Sequence, residues 1–274
     1  MAGGGLRYET GRDMPPGMQE KVAVKIVQQF NTKNPEEILA PTVNSRVFNM
    51  DCMEGMKQYT DGYFDLAIVD PVYGDVRKGG YMKGLGGGRV AQRDYDNTCW
   101  DQPKTGKDYF TELFRVSKNQ VIWGGNYFTE QICKNSTCWL IWDKCHPSGI
   151  CYADCELAWT SFDGATRLFR YMWNGMNQGK SMTEGHIMQG NKKKNEVRRH
   201  PMQKPANLYR WIYEILDIPA GSKILDTHVG SGTHRIAAFD YGMDFTGYEI
   251  VKKYFEDQEI AFAQYTAQTR MEGY

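Results

Sequence analysis

The residues of this chain best suited to chemistry are Asp70, Pro71, Val72 and Tyr73, which follow the apolar run FDLAIV. The Asp70 carboxylate and the Pro71 carbonyl are both hydrogen-bond acceptors, and proline fixes the backbone between them. Tyr73 offers a flat face to a planar ring. Because two acceptors fit an amino group with two hydrogens, the tetrapeptide predicts a site for the exocyclic amino group of a purine or pyrimidine.

Such an amino group is a poor nucleophile, because its lone pair is delocalised into the ring. Acceptors that hold both hydrogens favour a more tetrahedral nitrogen, whose lone pair can then point at an electrophile. The tetrapeptide therefore predicts group transfer to nitrogen, provided that an electrophile is held nearby.

A second candidate site is the glycine-rich stretch DTHVGSGTH, which begins at Asp226 between a predicted strand and a predicted helix. It is not a P-loop, because no GK[ST] follows, and it lacks the third glycine of the dinucleotide pattern. Gly230 and Gly232 would let a ligand approach the backbone near the free amides of the helix N-terminus. A tight structural turn is the alternative interpretation.

Glu249 strengthens the ligand interpretation of this stretch. It lies 23 residues after Asp226, beside the end of the next predicted strand, where nucleoside-binding folds place an acid for the ribose hydroxyls. Alone, it could be a solvated acid at a strand end. Together, the two features favour a nucleoside ligand without a pyrophosphate. S-adenosylmethionine is such a ligand, and its sulfonium methyl group is the electrophile that the tetrapeptide requires.

The elements that must position these residues alternate between strands and helices from residue 46 onwards. This alternation predicts an α/β fold, Rossmann-like, with a mostly parallel sheet and helices on both faces. ELAWTSF and LFRYMW are interpreted as two further strands that could form an antiparallel pair, and NYFTEQICK as a helix. Binding sites lie beyond the carboxyl ends of parallel strands. Four acids are predicted on that rim: Asp51, Asp70, Asp226 and Glu249.

Net charge and cysteine content limit the classes of protein to which this chain can belong. The 274 residues carry a formal net charge of zero, so phosphate binding would need a local basic patch. We expect no membrane span and no signal peptide, and the seven cysteines then indicate free thiols in a reducing cytoplasm. Cys145, Cys151 and Cys155 lie near His146, but without a CxxC pair they do not predict a zinc site.

Four segments in a fixed order resemble the S-adenosylmethionine-dependent DNA amino-methyltransferases of the permuted β class. NMDCMEGMKQYTDGYFDLAIVDPVYG is similar to the family's segment from the adenine-binding acid to the DPPY tetrapeptide. HPMQKP resembles its HPTQKP element, ILDTHVGSGT its LDPFxGSGT loop, and FTGYEI its strand with the ribose-binding acid. The resemblance covers roughly residues 46–265 and implies a circularly permuted class I methyltransferase fold.

The resemblance implies roles for individual residues. Asp70, Pro71 and Tyr73 would be catalytic and hold the target base. An acid rather than serine at position 70 favours adenine over cytosine. Val72, Thr227 and His228 depart from the family's usual Pro, Pro and Phe. The implied cofactor-binding residues are Asp51 and Cys52 at the adenine, Lys204 at the amino-acid end, Glu249 at the ribose, and Asp226, His228, Gly230, Ser231 and Gly232 around the methionine and ribose.

Double-stranded DNA would be the main partner, with the target base flipped out of the duplex. We divide the chain into an N-terminal extension (1–45), a catalytic part (46–173) containing the loop 74–104, a DNA-recognition insert (174–199) and a cofactor-binding part (200–274). The resemblance allows a homodimer and a cognate restriction enzyme, in the cytoplasm of a bacterium or phage-infected cell. The candidate DNA-binding residues are Lys78, Arg89, Lys192, Lys193, Lys194, Arg198 and Arg199, with a solvated charged loop as the alternative.

Other functions compete with adenine methylation. N4-cytosine methylation is the close alternative, since cytosine also carries an exocyclic amino group. A DNA-binding or regulatory protein with a weakened site is a second, permitted by Val72 and His228. A protein or RNA methylase is disfavoured because the glycine loop follows the tetrapeptide, and a nicotinamide-dependent enzyme is disfavoured by the glycine spacing.

Overall fold

The computed structural model describes residues 44–74, 104–145, 153–174, 177–178, 196–197, 199–200 and 202–271. Their main feature is an eight-stranded sheet with the strand order β1-β10-β9-β2-β3-β5-β4-β6, beside a two-stranded ribbon of β7 and β8. The strands are β1 (Ser45–Phe48), β2 (Phe64–Val69), β3 (Ser117–Trp123), β4 (Leu140–Asp143), β5 (Cys155–Thr160), β6 (Arg167–Arg170), β7 (Trp173–Asn174), β8 (Asn177–Gln178), β9 (Lys223–Asp226) and β10 (Asp244–Tyr248).

The sheet is mostly parallel, as predicted. The neighbouring strands in the spatial run β1-β10-β9-β2-β3 all pair in parallel, and so do β4 and β6. Only β5 runs against its neighbours, β3 and β4. The strand β9 comes late in the chain but pairs with β2, on the side away from β3, and β10 lies on the far side of β9. This order places the glycine stretch next to the tetrapeptide, although Asp70 and Asp226 are 156 positions apart in the sequence.

Helices form on the amphipathic segments between the strands. They are α1 (Cys52–Met56), α2 (Lys107–Val116), α3 (Thr129–Ile132), α4 (Ala206–Ile215), α5 (Thr233–Asp240) and α6 (Lys252–Met271), with a 3₁₀ turn at Gly125–Tyr127. In α2, for example, Tyr109, Phe110, Leu113 and Val116 are buried along one face, which is the spacing of an amphipathic helix.

Two apolar clusters lie on opposite faces of the sheet. Alternate residues of β2 divide between them, with Leu66 and Ile68 in one cluster and Ala67 and Val69 in the other, because successive strand side chains point to opposite faces. The first cluster takes in α4 and α5, and the second takes in α1, α2 and α3. The predicted fold, an α/β sheet with helices on both faces, is confirmed.

Two details of the prediction were wrong. ELAWTSF and LFRYMW form strands β5 and β6, but they do not pair, because β4 lies between them. The segment NYFTEQICK is not one continuous helix. Gly124 has a φ of +66° and is followed by the 3₁₀ turn, and a separate short helix, α3, begins at Thr129 and ends before Cys133, whose φ is +48°.

The strand order brings the four predicted acids to one rim. Asp51, Asp70 and Glu249 follow the carboxyl ends of β1, β2 and β10, and Asp226 is the last residue of β9. These four strands are adjacent in the order β1-β10-β9-β2. Among the described residues, no helix is long and apolar enough to span a membrane.

Candidate active site

A cavity of about 300 Å³ opens at the carboxyl ends of these four strands. The predicted site residues that line it come from two separate parts of the chain: Asp51, Cys52, Asp70, Pro71, Tyr73, Lys204, His228, Gly230, Ser231 and Glu249. We call the group formed by Asp51, residues 226–233 and Glu249 the loop side. We call the group Asp70, Lys144, Glu156 and Lys204 the lysine side.

Asp51 and Cys52 form the entry to α1 on the loop side. Asp51 is the N-cap residue, and its Oδ1 accepts a hydrogen bond of 2.7 Å from the backbone N–H of Met53. This bond satisfies one of the free amides of the first helical turn. Burial, together with the neighbouring Asp51 charge, raises the pKa of the Cys52 thiol to about 12. Cys52 is therefore a protonated, weakly polar part of the wall at neutral pH.

Glu249 is held by backbone amides. Its Oε2 accepts from the N–H of Gly230 at 2.9 Å, and its Oε1 accepts from the N–H of Val251 at 2.8 Å. Burial raises the pKa of Glu249, although these amide bonds oppose the rise. A carboxylate offers about four lone-pair sites, so two acceptor positions remain for hydroxyl groups of a ligand.

Asp226 does not line the cavity but lies beneath the glycine stretch. Its Oδ1 accepts from the backbone N–H of His228 at 2.9 Å, and its Oδ2 lies 2.7 Å from Nδ1 of His234. The Nε2 of His234 lies 2.8 Å from the hydroxyl of Tyr213. This buried polar chain fixes the shape of the residues that follow β9. Asp226 therefore supports the loop from below.

Gly232 also lies outside the cavity lining, at the N-cap of α5. Its φ is +77°, and a Cβ there would come within 2.9 Å of the Cβ of Gln258. Gly230, which does line the cavity, has a φ of +54°. Only glycine adopts these conformations without strain. Both residues shape the loop, and Gly230 also leaves its backbone open to a ligand.

The departures at Thr227 and His228 are accommodated by a hydrogen-bonded chain. The hydroxyl of Thr227 lies 2.9 Å from Nδ1 of His228 and 2.6 Å from the hydroxyl of Tyr109. Burial lowers the pKa of His228, although Asp226 and Asp51 oppose the fall. His228 is therefore a neutral imidazole at pH 7 and provides an uncharged flat surface in the cavity wall.

The tetrapeptide is fixed despite Val72 in place of a second proline. The Val72 carbonyl accepts two hydrogen bonds of 2.9 Å from Thr105, one from its N–H and one from its hydroxyl. Tyr73 stacks on Tyr127, with ring centroids 4.8 Å apart and planes inclined by 15°. A Cβ at Gly124 would come within 2.9 Å of the Tyr73 ring. One face of the Tyr73 ring is thus covered by Tyr127, and the backbone of Gly124 lies close to both rings.

Asp70 has one oxygen paired and the other unpaired. Its Oδ2 contacts the ammonium of Lys204, whereas its Oδ1 is buried and accepts no hydrogen bond from the described residues. Burial raises the pKa of Asp70, the Lys204 ammonium opposes the rise, and Glu156 adds to it. Leaving a buried acceptor unsatisfied costs about 1–3 kcal/mol. A ligand that supplies an N–H donor would recover this free energy.

Glu156, which the sequence analysis missed, completes the lysine side. Its Oε2 lies 3.1 Å from Nζ of Lys204, and its Oε1 lies 2.6 Å from Nζ of Lys144. Although burial opposes ionisation, the two ammonium groups lower the pKa of Glu156 to about 2. The only sequence signal was an acid at the first position of the predicted strand ELAWTSF, and strand pairing alone brings it to Lys204.

The predicted DNA-binding residues fall almost entirely outside the described part of the chain. Arg199 is described, and its backbone N–H donates to Oε1 of Gln203 at 2.8 Å. No group of three or more potential metal ligands occurs among the described residues. The predictions for the remaining residues lie outside the described ranges: Lys78, Arg89, Lys192, Lys193, Lys194 and Arg198.

Comparison with known proteins found one matching family. Residues 137–261 match the model of the family N6_N4_Mtase, described as DNA methylase. The matched range contains the HPMQKP element, the glycine stretch and Glu249, whereas the tetrapeptide precedes it. Over these residues the match supports the family that the motifs predicted, the N6/N4 DNA methylases. A comparison with curated proteins found no match.

Three solved structures are similar to this chain. M1.HpyAVI in complex with SAM is 18% identical, with 79% of this chain and 98% of that chain covered and a TM-score of 0.47. TTHA0409 from Thermus thermophilus, complexed with S-adenosyl-L-methionine, is 16% identical, with 81% and 94% covered and a TM-score of 0.48. The cytosine-N4-specific PvuII DNA methyltransferase is 11% identical, with 79% and 85% covered and a TM-score of 0.48.

Proposed function

We propose that this DNA methylase transfers the methyl group of S-adenosylmethionine to the exocyclic N6 amino group of adenine in double-stranded DNA. The observation that carries the proposal is the buried Oδ1 of Asp70, which accepts no hydrogen bond from the described residues, on a residue that lines the same cavity as Pro71 and Glu249. An amino group has the two donors that these two acceptors need.

The cavity suits a nucleoside cofactor. Glu249 retains acceptor positions for the ribose hydroxyls. Gly230 and Ser231, which line the same cavity, have no side chain or a small one and so leave room for a ligand. The protonated Cys52 thiol and the neutral His228 ring provide uncharged surface for an adenine and a thioether chain. When bound, S-adenosylmethionine supplies an electrophilic methyl group.

The residues of the tetrapeptide prepare the nucleophile. Asp70 and the Pro71 carbonyl would accept the two amino hydrogens, and the Tyr73 ring would stack on the base. Holding both hydrogens draws the nitrogen lone pair out of conjugation and directs it at the methyl group. The target base must leave the duplex to reach this depth, at a cost of a few kcal/mol.

Adenine is favoured over cytosine by the acid at position 70, where the resemblance associates serine with cytosine. Both bases present an amino group with two hydrogens, so N4-cytosine methylation is the alternative within the same chemistry.

The test is methyl transfer from S-adenosylmethionine, labelled with tritium in the methyl group, to unmethylated double-stranded DNA. The DNA is then digested and its nucleosides are identified by mass spectrometry. N6-methyladenine is the expected product. Detection of N4-methylcytosine would show that the target base is cytosine and that the reaction is still methyl transfer to an exocyclic amino group. Cofactor binding without a labelled product would contradict the proposed activity.

A further inference from the structure

The lysine side is a buried chain of alternating charges. Lys204 is the centre of this chain, with a side chain only 3% exposed. Its ammonium contacts Asp70 on one side and Glu156 on the other, and Glu156 in turn contacts Lys144. The resemblance placed Lys204 at the amino-acid end of the cofactor. In this structure its ammonium contacts the acid of the tetrapeptide.

The backbone that carries Lys204 is anchored independently of these charges. The Lys204 carbonyl accepts from the Thr233 hydroxyl at 2.9 Å, and the Gln203 carbonyl accepts from Nε1 of Trp173 at 2.8 Å. Pro205 then begins α4 as its N-cap residue. The side chain is thus projected towards Asp70 from a fixed point 134 residues later in the chain.

The charge on Lys204 is permanent at neutral pH. Burial disfavours the ammonium, but Asp70 and Glu156 raise the pKa of Lys204 well above its usual value. Removing one partner of a buried ion pair leaves the other charge uncompensated, which is strongly unfavourable. The ammonium therefore stays on Asp70 as long as both carboxyl groups are ionised.

We propose that Lys204 is a positioning residue for methyl transfer, which acts through Asp70 rather than on the cofactor. By holding Oδ2 it fixes the rotation of the carboxylate and leaves Oδ1 as the acceptor for the target amino group. Glu156, itself held by Lys144, limits how strongly Lys204 attracts Asp70. This inference rests on the proposed function, because it assigns a role within the same site.

Lys204 and Glu156 should have opposite effects on the ionisation of Asp70. Lys204 favours the ionised form of Asp70, and Glu156 disfavours it. Activity that needs an ionised Asp70 should therefore extend to lower pH without Glu156 and stop at higher pH without Lys204. Other titratable groups also face Asp70, Lys204 and Glu156 from the surrounding elements, and each variant keeps them unchanged. They are Tyr73, Lys144, His200, Tyr209 and Asp226.

The experiment compares Lys204→Met and Glu156→Gln with the wild type in cofactor affinity, kcat and the pH dependence of kcat. For Lys204→Met we expect kcat to fall at least 100-fold, the acidic limb to move up by about one pH unit, and Kd for S-adenosylmethionine to change less than threefold. Lys204→Arg should recover part of kcat. For Glu156→Gln we expect the acidic limb to move down.

Two results would overturn the inference. A Kd for S-adenosylmethionine raised tenfold or more in Lys204→Met, with kcat at saturating cofactor unchanged, would make Lys204 a cofactor ligand. An acidic limb that does not move down in Glu156→Gln would show that the charges do not act through Asp70, even if Lys204→Met fails to fold. Lys118→Met is the matched control, because it breaks an exposed Lys–Asp pair with Asp65 and should leave all three quantities unchanged.

A measurement without turnover separates this inference from the proposed function. The titration of Asp70 can be followed by carbon-13 NMR of labelled aspartate carboxyls, with Asp70→Asn to assign the signal. The inference predicts that Glu156→Gln lowers the titration midpoint of Asp70, whether or not DNA is methylated. A midpoint that is unchanged or raised would contradict it.

Discussion

The two sides of the cavity stabilise their carboxylates in different ways. On the loop side, Asp51, Asp226 and Glu249 each accept hydrogen bonds from backbone amides. On the lysine side, Asp70 and Glu156 are paired with ammonium groups. Amide donors hold a carboxylate in place without cancelling its charge, whereas an ammonium also neutralises it. The loop side is thus suited to hydroxyl and amide ligands, and the lysine side to fixing one charged acceptor.

The largest effect is expected at the acceptor itself. Replacing Asp70 with Ala should reduce methyl transfer about 10³-fold, because the amino group loses an acceptor that acts on the developing charge. Cofactor affinity should change less than threefold, since Asp70 belongs to the lysine side. Initial rates with labelled cofactor, together with calorimetric binding, would measure both. Asp61→Asn, on an exposed acid paired with Arg115, is the control and should behave as the wild type.

A substitution on the loop side should weaken cofactor binding and leave kcat nearly unchanged. Glu249→Ala is expected to weaken binding of S-adenosylmethionine about 100-fold, or about 2.7 kcal/mol. It removes the acceptor for the ribose and also leaves the amides of Gly230 and Val251 without their partner. At saturating cofactor, kcat should stay within about threefold of the wild type. If kcat fell as far as in Asp70→Ala, the division between the two sides would be wrong. Glu256→Ala, on an exposed part of α6, is the matched control.

The loop side also depends on backbone conformation. Gly232→Ala should lower the free energy of unfolding by about 2 kcal/mol, because it combines a φ of +77° with a Cβ contact of 2.9 Å to Gln258. Urea denaturation would measure the change. Gly106→Ala, where no atom lies within 4 Å of the added Cβ, should cost less than about 1 kcal/mol. Equal losses at the two positions would contradict the strain argument.

The smallest effect is expected from His200, which contacts the loop near Gly230. Burial and the Lys204 charge lower the pKa of His200 from 6.5 to about 4. The unfolded chain therefore binds a proton at this residue between those pH values and the folded chain does not. Stability should be full above pH 6.5 and fall as pH drops towards 4. His200→Gln should remove this part of the pH dependence, and an unchanged slope in urea titrations would refute the assignment.

The sequence was a good guide to the loop side because its contacts are local or follow from strand order. Asp51 and Asp226 bond amides two residues away. The position of Glu249 on the same rim followed from alternating strands and helices. Even here, the sequence could not separate Asp226, which supports the loop, from residues that line the cavity, because both follow the same strand.

The lysine side was not predictable in the same way. Lys204 was assigned to the cofactor by its motif, and its contact with Asp70 joins residues 134 positions apart. Glu156 reaches the site only because β5 runs antiparallel between β3 and β4. The sequence suggested a different pairing for that strand. A reversed strand changes which end of it meets the rim, and local patterns do not show this.

The most direct test of the division between the two sides is a crystal structure of the protein with sinefungin, a stable analogue of S-adenosylmethionine that carries an amine in place of the methyl group. We predict ribose hydroxyls within hydrogen-bonding distance of Glu249 and the replacing amine facing Asp70 and Pro71, with Lys204 still on Asp70. A ribose away from Glu249, or the amino-acid carboxylate of the analogue seated on Lys204, would contradict this account.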